Sequence, residues 1–306
     1  MNQKPKALNH IKLTFMAMFW ATSYPIGVWL SHYKAPEAIV VIRVFTAFVF
    51  LMILARITRT ELVSLNRKII LKLMILGFFG FVIHNYLMFI GLQYTSATKG
   101  ALINGAIPIV VMALDFIFFK KIIRSGMLAG AAISFIGVLL VITEGNFIQI
   151  LESGVGTGEA LFLIAIVGWG FYSIIAKPLL EKNSPIWITA FSCLFGGIFL
   201  IPNMAFNGEN SVIMLSEPIV VIVLIAQGVL TMGLGFLWYY EGIKELGTAP
   251  ASMYLNLVPI FGTFLSYLLI KEQLSGVVLF GGILTIIGVI WVNLYRSKNI
   301  IMSYKQ

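Results

Sequence analysis

Ten long runs of mostly apolar residues, separated by short polar connections, fill almost the whole of this 306-residue sequence. Each run has roughly 17 to 25 residues, which as a helix is enough to cross a bilayer core of about 30 Å. Backbone groups cannot stay unpaired in lipid, and barrel strands would be shorter and would alternate in polarity. The sequence therefore predicts an all-α membrane protein with ten transmembrane helices, at approximately 13–30, 37–55, 69–92, 98–119, 125–143, 158–177, 184–203, 218–240, 248–270 and 275–295.

The overall composition excludes several other classes of protein. Hydrophobic residues make up 59% of the chain and charged residues only 11%, more apolar surface than a water-soluble fold can bury. The net charge is +9, but the Lys and Arg residues stand singly between apolar runs, so no nucleic-acid partner is predicted. The single cysteine, Cys193, lies in an apolar run. Neither a disulfide framework nor a metal site is expected, and no cofactor is predicted.

The distribution of basic residues predicts the orientation of the chain. With a cytoplasmic N-terminus, the inner segments hold seventeen of the 21 Lys and Arg residues, the outer segments three, and Arg43 alone lies within a span. Acidic residues gather in the predicted outer segments, at Glu144, Glu152 and Glu159. We therefore expect an inner-membrane (plasma-membrane) protein with both termini in the cytoplasm, in contact with membrane lipid.

The two halves of the sequence repeat each other. Residues 91–138 align without a gap with residues 242–289, at an offset of 151, and at an offset of 149 Trp20 meets Trp169. Five helices per half is an odd number, so the second copy enters the membrane from the opposite side. The expected domains are a first repeat at 1–143, an outer connection at 144–157, a second repeat at 158–295 and a cytoplasmic tail at 296–306.

Several loose motifs, duplicated in order, resemble the EamA-type members of the drug/metabolite transporter superfamily. They include the Trp20 to Gly27 stretch, Arg43, the stretch from Gly91 to Pro108, and its counterpart from Gly242 to Pro259 followed by Lys271 and Glu272. The resemblance implies a bacterial inner-membrane carrier with a central cavity, often an exporter of amino acids or related metabolites. Uptake of a nucleoside-like or amine metabolite is the alternative.

Polar residues inside the spans are the candidate substrate-binding residues. Arg43 is expected to face the bundle, where it either binds a substrate carboxylate or pairs with backbone carbonyls or Glu37. His84 and Asn85, near the middle of the third span, either contact substrate or join helices by hydrogen bonds. Asp115 is expected to form an interfacial ion pair with Lys120 and Lys121.

The remaining candidates come from paired prolines and from aromatic stripes. Pro108 and Pro259 occupy matching positions and are predicted to kink their helices, which frees carbonyls near the midplane. Asparagines precede both prolines. Polar and aromatic residues also share one face of the first span and one face of the eighth, a pattern typical either of a cavity wall or of helix packing. The further candidates are Trp20, Tyr24, Asn104, Trp169, Tyr172, Gln227, Trp238, Tyr254 and Asn256.

Two other classes of function compete with a carrier. A membrane enzyme would need clustered ligands, paired acids at depth or a nucleophile motif, and the sequence shows none of these, so no catalytic residue is predicted. A channel or a structural scaffold remains possible from composition alone, but an inverted repeat with paired prolines favours alternating access over a fixed pore. The expected partner is a small-molecule substrate, and the expected assembly is a monomer or a homodimer.

Overall fold

The structure, a computed structural model, describes residues 4–61, 65–120, 125–146, 148, 155–246, 251, 254–273 and 275–303. These residues form helices and turns and contain no β-strand. A short helix, Gly208–Leu215, connects the seventh long helix to the eighth. The long helices, α1 to α10 in chain order, are Lys4–Leu30, Pro36–Ile57, Arg67–Gly91, Ala97–Phe118, Ser125–Thr143, Thr157–Leu180, Pro185–Phe206, Pro218–Leu246, Tyr254–Ile270 and Gly276–Ser303.

The ten predicted spans correspond to these ten helices. Eight of them, α1 to α8, are long and apolar enough to cross a membrane. The last two have shorter apolar stretches: all of α9, Tyr254–Ile270, and the part Gly276–Val292 of α10. The all-helical membrane class is therefore confirmed, with eight full-length candidate spans and two shorter ones in the described part of the chain.

Two of the helices contain a wide π-helical segment. In α3 it covers Phe78–Tyr86, and in α8 it covers Gly228–Gly235. π-Helical turns are rare and frequently occur at functional sites. Because the two segments occupy equivalent places in the third helix of each half, the irregular backbone is itself repeated.

The proline-containing helices α4 and α9 each include an irregular segment. In α4 a regular helix ends at Asn104, Gly105 and Ala106 form a turn, and the helix resumes at Ile107. In α9 a 3-10 turn, Tyr254–Asn256, precedes the helix Leu257–Ile270.

Each proline follows its irregular segment, and the predicted kink at the prolines stays a prediction. Pro108 is the second residue and Pro259 the third residue of the helical segment that follows each irregularity. A proline fits the first helical turn because its missing N–H would have no intrahelical acceptor there. The irregularity thus precedes each proline instead of being centred on it.

Small residues allow a close helix contact between α5 and α10. A Cβ atom added at Gly137 would lie 2.5 Å from the carbonyl oxygen of Gly281 and from the backbone nitrogen of Thr285. At Gly130 it would lie 2.7 Å from the carbonyl oxygen of Gly288. Glycine faces of this kind let two helix backbones approach closely in lipid.

Polar contacts join the ends of helices that are distant in sequence. At one set of ends Lys12 forms an ion pair of 2.8 Å with Glu241, and Asn9 donates to Glu245. Elsewhere Lys99 pairs with Glu144 and lies 3.7 Å from Glu159. These contacts fasten α1 to α8, and α4 to the ends of α5 and α6.

The predicted ion pair of Asp115 stays a prediction. Asp115 is buried in α4, and the backbone N–H of Lys120 donates to its carbonyl oxygen. Lys121 lies outside the described residues, as does Glu152 of the predicted outer connection.

Candidate functional site

A cavity lies between the two halves of the chain. It contains about 480 Å³ of space between protein atoms, counted together with its mouth. Each half contributes its first, third and fourth helices, that is α1, α3 and α4 from one half and α6, α8 and α9 from the other. The lining residues are Trp20, Ser23, Tyr24, His84, Asn85, Met88, Asn104, Ile107, Trp169, Met232, Phe236, Leu255 and Val258.

Irregular backbone borders this cavity on both sides. His84 and Asn85 belong to the π segment of α3, and Met232 belongs to that of α8. Asn104 and Ile107 flank the turn within α4. Non-helical backbone at membrane depth is tolerated where it lies inside the protein or beside a cavity, as it does here.

The polar side chains of the cavity are held by short hydrogen bonds. His84 Nδ1 lies 3.0 Å from the carbonyl oxygen of Ala165 on α6, and Asn85 Nδ2 donates to the carbonyl oxygen of Gly80 over 2.8 Å. Asn104 Nδ2 donates to the hydroxyl of Tyr24, joining α4 to α1. These contacts fix the side-chain positions, so the polar groups of the cavity are largely pre-organised.

Aromatic rings pack together along one side of the cavity. The Trp20 ring lies 5.1 Å from that of Trp169 and 5.2 Å from that of Phe236, centroid to centroid, in edge-to-face arrangements. The His84 ring is 4.9 Å from that of Trp169. Aromatic pairs in this geometry add about 0.5–1.5 kcal/mol beyond their buried area. The aromatic side chains therefore form a stiff surface against which a ligand can stack.

Arg43 is buried just behind the cavity, with 1% of its surface exposed. Its Nη2 donates to Ser23 Oγ over 2.9 Å and to Thr231 Oγ1 over 2.8 Å, while its guanidinium carbon lies 4.8 Å from the ring centroid of Phe89. Its Nε and Nη1 find no hydrogen-bond acceptor among the described residues. Of the three contacts, only Ser23 lines the cavity, so Arg43 reaches the cavity through another side chain.

A second layer of hydrogen bonds supports Ser23. Its hydroxyl donates to Gln227 Oε1 over 3.2 Å, and Gln227 Nε2 donates to Thr22 Oγ1 over 2.7 Å. The network therefore joins α1, α2 and α8 around one lining hydroxyl.

Six of the residues predicted from sequence line the cavity: Trp20, Tyr24, His84, Asn85, Asn104 and Trp169. Six others lie outside its lining. Among these, Arg43 and Gln227 support Ser23, and Tyr172 is fully buried beside Tyr240, with ring centroids 5.6 Å apart. The positions of these three favour supporting roles in the packing around the cavity.

The remaining three predicted residues are close in sequence to lining residues but are not part of the lining themselves. Trp238 stacks on Phe19, with ring centroids 5.8 Å apart. Tyr254 contacts His10 on α1, and Asn256 is buried with its Oδ1 lacking a partner in the described residues. Their proposed contact with substrate stays a prediction.

Several lining residues were not predicted from sequence. Met88, Ile107, Met232, Phe236, Leu255 and Val258 are apolar, and their types are also those of lipid-facing positions. Ser23 had a usable signal, because it is a polar residue beside Tyr24 on an apolar helix.

The fold and the cavity define a polytopic membrane protein with a central cavity between its halves. A model of the EamA-like transporter family matches residues 10–143 and again residues 156–294. The chain belongs to the EamA-like transporter family. This membership supports a function in membrane transport, and the relatives are also named as transporters. Both findings indicate a transporter and not an enzyme.

Relatives of known sequence support this membership. The uncharacterized transporter YyaM of Bacillus subtilis is 29% identical over 96% of this chain and 98% of its own length. A protein of Chlamydia muridarum named as an S-adenosylmethionine/S-adenosylhomocysteine transporter is 24% identical over 86% of this chain and 85% of its own length. A crystal structure with 14% sequence identity covers 94% of this chain and 96% of its own, with a TM-score of 0.66, and supports the fold alone.

Proposed function

We propose that this protein is a secondary transporter that exports amino acids or related amphiphilic metabolites across the inner or plasma membrane by alternating access. The observation that carries the proposal is the cavity, which has a polar set and an aromatic set of side chains enclosed by both halves of the chain. Amphiphilic metabolites need both kinds of contact, and pockets of this make-up suit small organic ligands. Export is proposed from the resemblance to exporters of such metabolites.

Two features of the fold support an inverted repeat. The family model matches once in each half of the chain, and both halves supply their first, third and fourth helices to the cavity. The irregular segments recur as well, in α3 and α8 and again in α4 and α9. Binding beside interrupted helices at a repeat interface is a feature of alternating-access carriers.

The contacts between connecting segments support the proposed topology. Thr60 accepts from Trp187, Asn183 accepts from Lys244, and Lys12 pairs with Glu241, all of them near predicted cytoplasmic ends. On the predicted outer side, Asn207 donates to the carbonyl of Lys34 and Lys99 pairs with Glu144. Each contact joins segments assigned to the same side, as ten crossings of the membrane require.

A transporter of S-adenosyl compounds is a second candidate. It is favoured by the function for which the Chlamydia relative is named, and the aromatic rings beside Trp20 would suit a stacked nucleobase. S-adenosylmethionine also carries an amino acid group, so both candidates share the same polar end.

The test is ligand binding followed by flux. Purified protein is screened by thermal shift against amino acids, amines, nucleosides, S-adenosyl compounds and sugars, since a ligand that binds the folded state raises its melting temperature. The compound that shifts it is then measured in proteoliposomes, where a carrier shows saturable uptake and counterflow. Flux that rises linearly with concentration, without counterflow, would indicate a channel and contradict the proposal.

A further inference from the structure

We infer that His84 and Asn85 form an acceptor subsite for the amino group of the transported molecule, in a cavity that also contains a region of positive potential from Arg43, which lies behind Ser23. The inference rests on the proposed transport of amino-acid-like molecules, and it names the residues that bind the amino group and the residue that attracts the carboxylate. It concerns the described residues of the cavity alone.

The hydrogen-bond role of His84 follows from its backbone contact. A carbonyl oxygen can only accept, so the Nδ1 atom that lies 3.0 Å from the Ala165 oxygen carries a hydrogen and donates it. A charged imidazole buried without a carboxylate would be costly, and the residues that line the cavity include no Asp or Glu. The neutral ring therefore presents Nε2 as a lone-pair acceptor.

Asn85 is oriented by the same logic. Its Nδ2 donates to the carbonyl oxygen of Gly80 over 2.8 Å, which fixes the amide nitrogen on that side. The carboxamide oxygen, Oδ1, then points away and is an acceptor with no hydrogen-bond partner among the described residues. Two adjacent residues of the π segment of α3 thus supply two acceptor atoms, His84 Nε2 and Asn85 Oδ1. The donor nitrogens of the same side chains already bond to backbone carbonyl oxygens.

An amino group fits these acceptors better than an anion does. A carboxylate or phosphate has only acceptor atoms, so it would face two lone pairs without a donor. An ammonium group has three donors and is attracted to aromatic faces, and Trp169 lies beside the His84 ring at 4.9 Å. The subsite therefore selects a hydrogen-bond donor, with a positive charge favoured by the ring.

Arg43 disfavours a ligand that carries only positive charge. Its guanidinium is one hydrogen bond, 2.9 Å long, from the lining hydroxyl of Ser23, and no carboxylate among the described residues pairs with it. A zwitterion fits this arrangement, with its amino group at His84 and Asn85 and its carboxylate attracted by the positive field of Arg43. The Ser23 hydroxyl donates its hydrogen to Gln227, so Arg43 acts on that carboxylate as a positioning residue through its field and not through a hydrogen bond from Ser23.

The experiment compares three forms of the same ligands on the purified protein. Phenylalanine, leucine and methionine are each tested as the free amino acid, the N-acetyl derivative and the methyl ester, by thermal shift and by equilibrium binding. The free amino acids are expected to bind at least about tenfold more tightly than the N-acetyl forms, which lose the ammonium donors, and more tightly than the esters, which lose the carboxylate.

Asn85→Asp provides a gain of binding that a purely structural role would not produce. The added carboxylate should improve binding of the methyl esters by about tenfold relative to wild type, because it offsets the field of Arg43. Asn210→Asp, the same change in the short helix Gly208–Leu215, is the control and should leave the preference unchanged.

The possible results separate this inference from the proposed function. Equal binding of the free and N-acetyl forms by wild type overturns the amino-group subsite and leaves the carrier intact. If none of the free amino acids binds wild type while another class of the broader screen does, the amino acid assignment and this subsite both fall. The wild-type series decides these outcomes even if Asn85→Asp does not fold.

Discussion

Arg43 is a buried cation that holds two hydroxyl groups on different helices. Its Nη2 bridges Ser23 on α1 and Thr231 on α8, so one guanidinium sets the spacing of three helices beside the cavity. Lys offers a point charge in place of a planar fork, and is a poor substitute at a bridging, ring-stacked site. The role of Arg43 is therefore expected to be sensitive even to conservative change.

We predict that Arg43→Ala lowers transport at least about tenfold while the protein still reaches the membrane, and that Arg43→Lys restores only part of the rate. The loss follows from releasing Ser23 and Thr231, each held by a charged hydrogen bond worth about 1.5–3 kcal/mol. Flux per mole of reconstituted protein is the measurement. Arg56→Ala, at an exposed position of the same helix, is the control, and wild-type flux in Arg43→Ala would remove Arg43 from the site.

The sequence predicted the polar part of the cavity better than its apolar part. His84, Asn85 and Asn104 stand out because polar groups in an apolar helix need an internal partner or a cavity. Met232 and Phe236 could not be found in this way, because an apolar residue is equally suited to lipid, to packing and to a ligand. Only the packing of six helices around one space distinguishes these environments.

Aromatic residues were ambiguous for a related reason. Trp20 lines the cavity, whereas Trp238 stacks on Phe19 outside it, although both occupy apolar helices. A tryptophan suits a cavity and a helix contact equally well, and its side-chain chemistry does not tell the two apart.

At the scale of the helices, the irregular segments concentrate beside the cavity. The turn at Gly105 and Ala106 places Asn104 and Ile107 on the cavity, and Pro108 follows it in the first turn of the resumed helix. Proline lacks the N–H that would otherwise bond to the carbonyl of Asn104 and make α4 continuous. The position of the irregularity relative to the proline could not be obtained from the sequence, since proline suits both a kink and a first turn.

We expect Pro108→Ala to slow transport by several-fold with little change in ligand affinity. The alanine restores a backbone donor, so α4 can continue through the turn and the irregular backbone that borders the cavity is partly lost. Turnover and binding are measured separately on the same preparation. Pro218→Ala, at the first residue of α8, should be without effect, and unchanged turnover in Pro108→Ala would show that the irregularity is not needed for transport.

The contact between α5 and α10 depends on the absence of side chains. A Cβ atom at Gly137 would lie 2.5 Å from backbone atoms of α10, closer than packed atoms approach, so the two helices would have to separate.

Gly137→Ala is therefore predicted to lower the melting temperature of the purified protein by several degrees, although alanine favours helices by about 1 kcal/mol over glycine. Gly276→Ala, at the start of α10, has nothing within 4 Å of the new Cβ atom and is expected to melt like wild type. If both variants melt like wild type, the α5–α10 contact is looser than described.

At the scale of the whole molecule, the sequence predicted the class and the order of the helices, because hydropathy over about 20 residues is a strong signal. Helix length was less certain at the end of the chain, where α9 begins with an irregular turn and its regular part, Leu257–Ile270, is short. The cavity depends on which helices pack together. That packing involves contacts between residues far apart in the sequence, such as Ser23 and Gln227, and a local sequence pattern cannot predict such contacts.

The central claim is that each half crosses the membrane five times, so that the two halves are antiparallel around a shared cavity. The direct measurement is labelling of single cysteines by a membrane-impermeant maleimide, in a chain whose buried Cys193 is replaced by alanine. We predict that Val155→Cys, before α6, is labelled in intact cells, and that Thr60→Cys, after α2, is labelled only once the membrane is opened. Labelling of both positions from the same side would contradict the account.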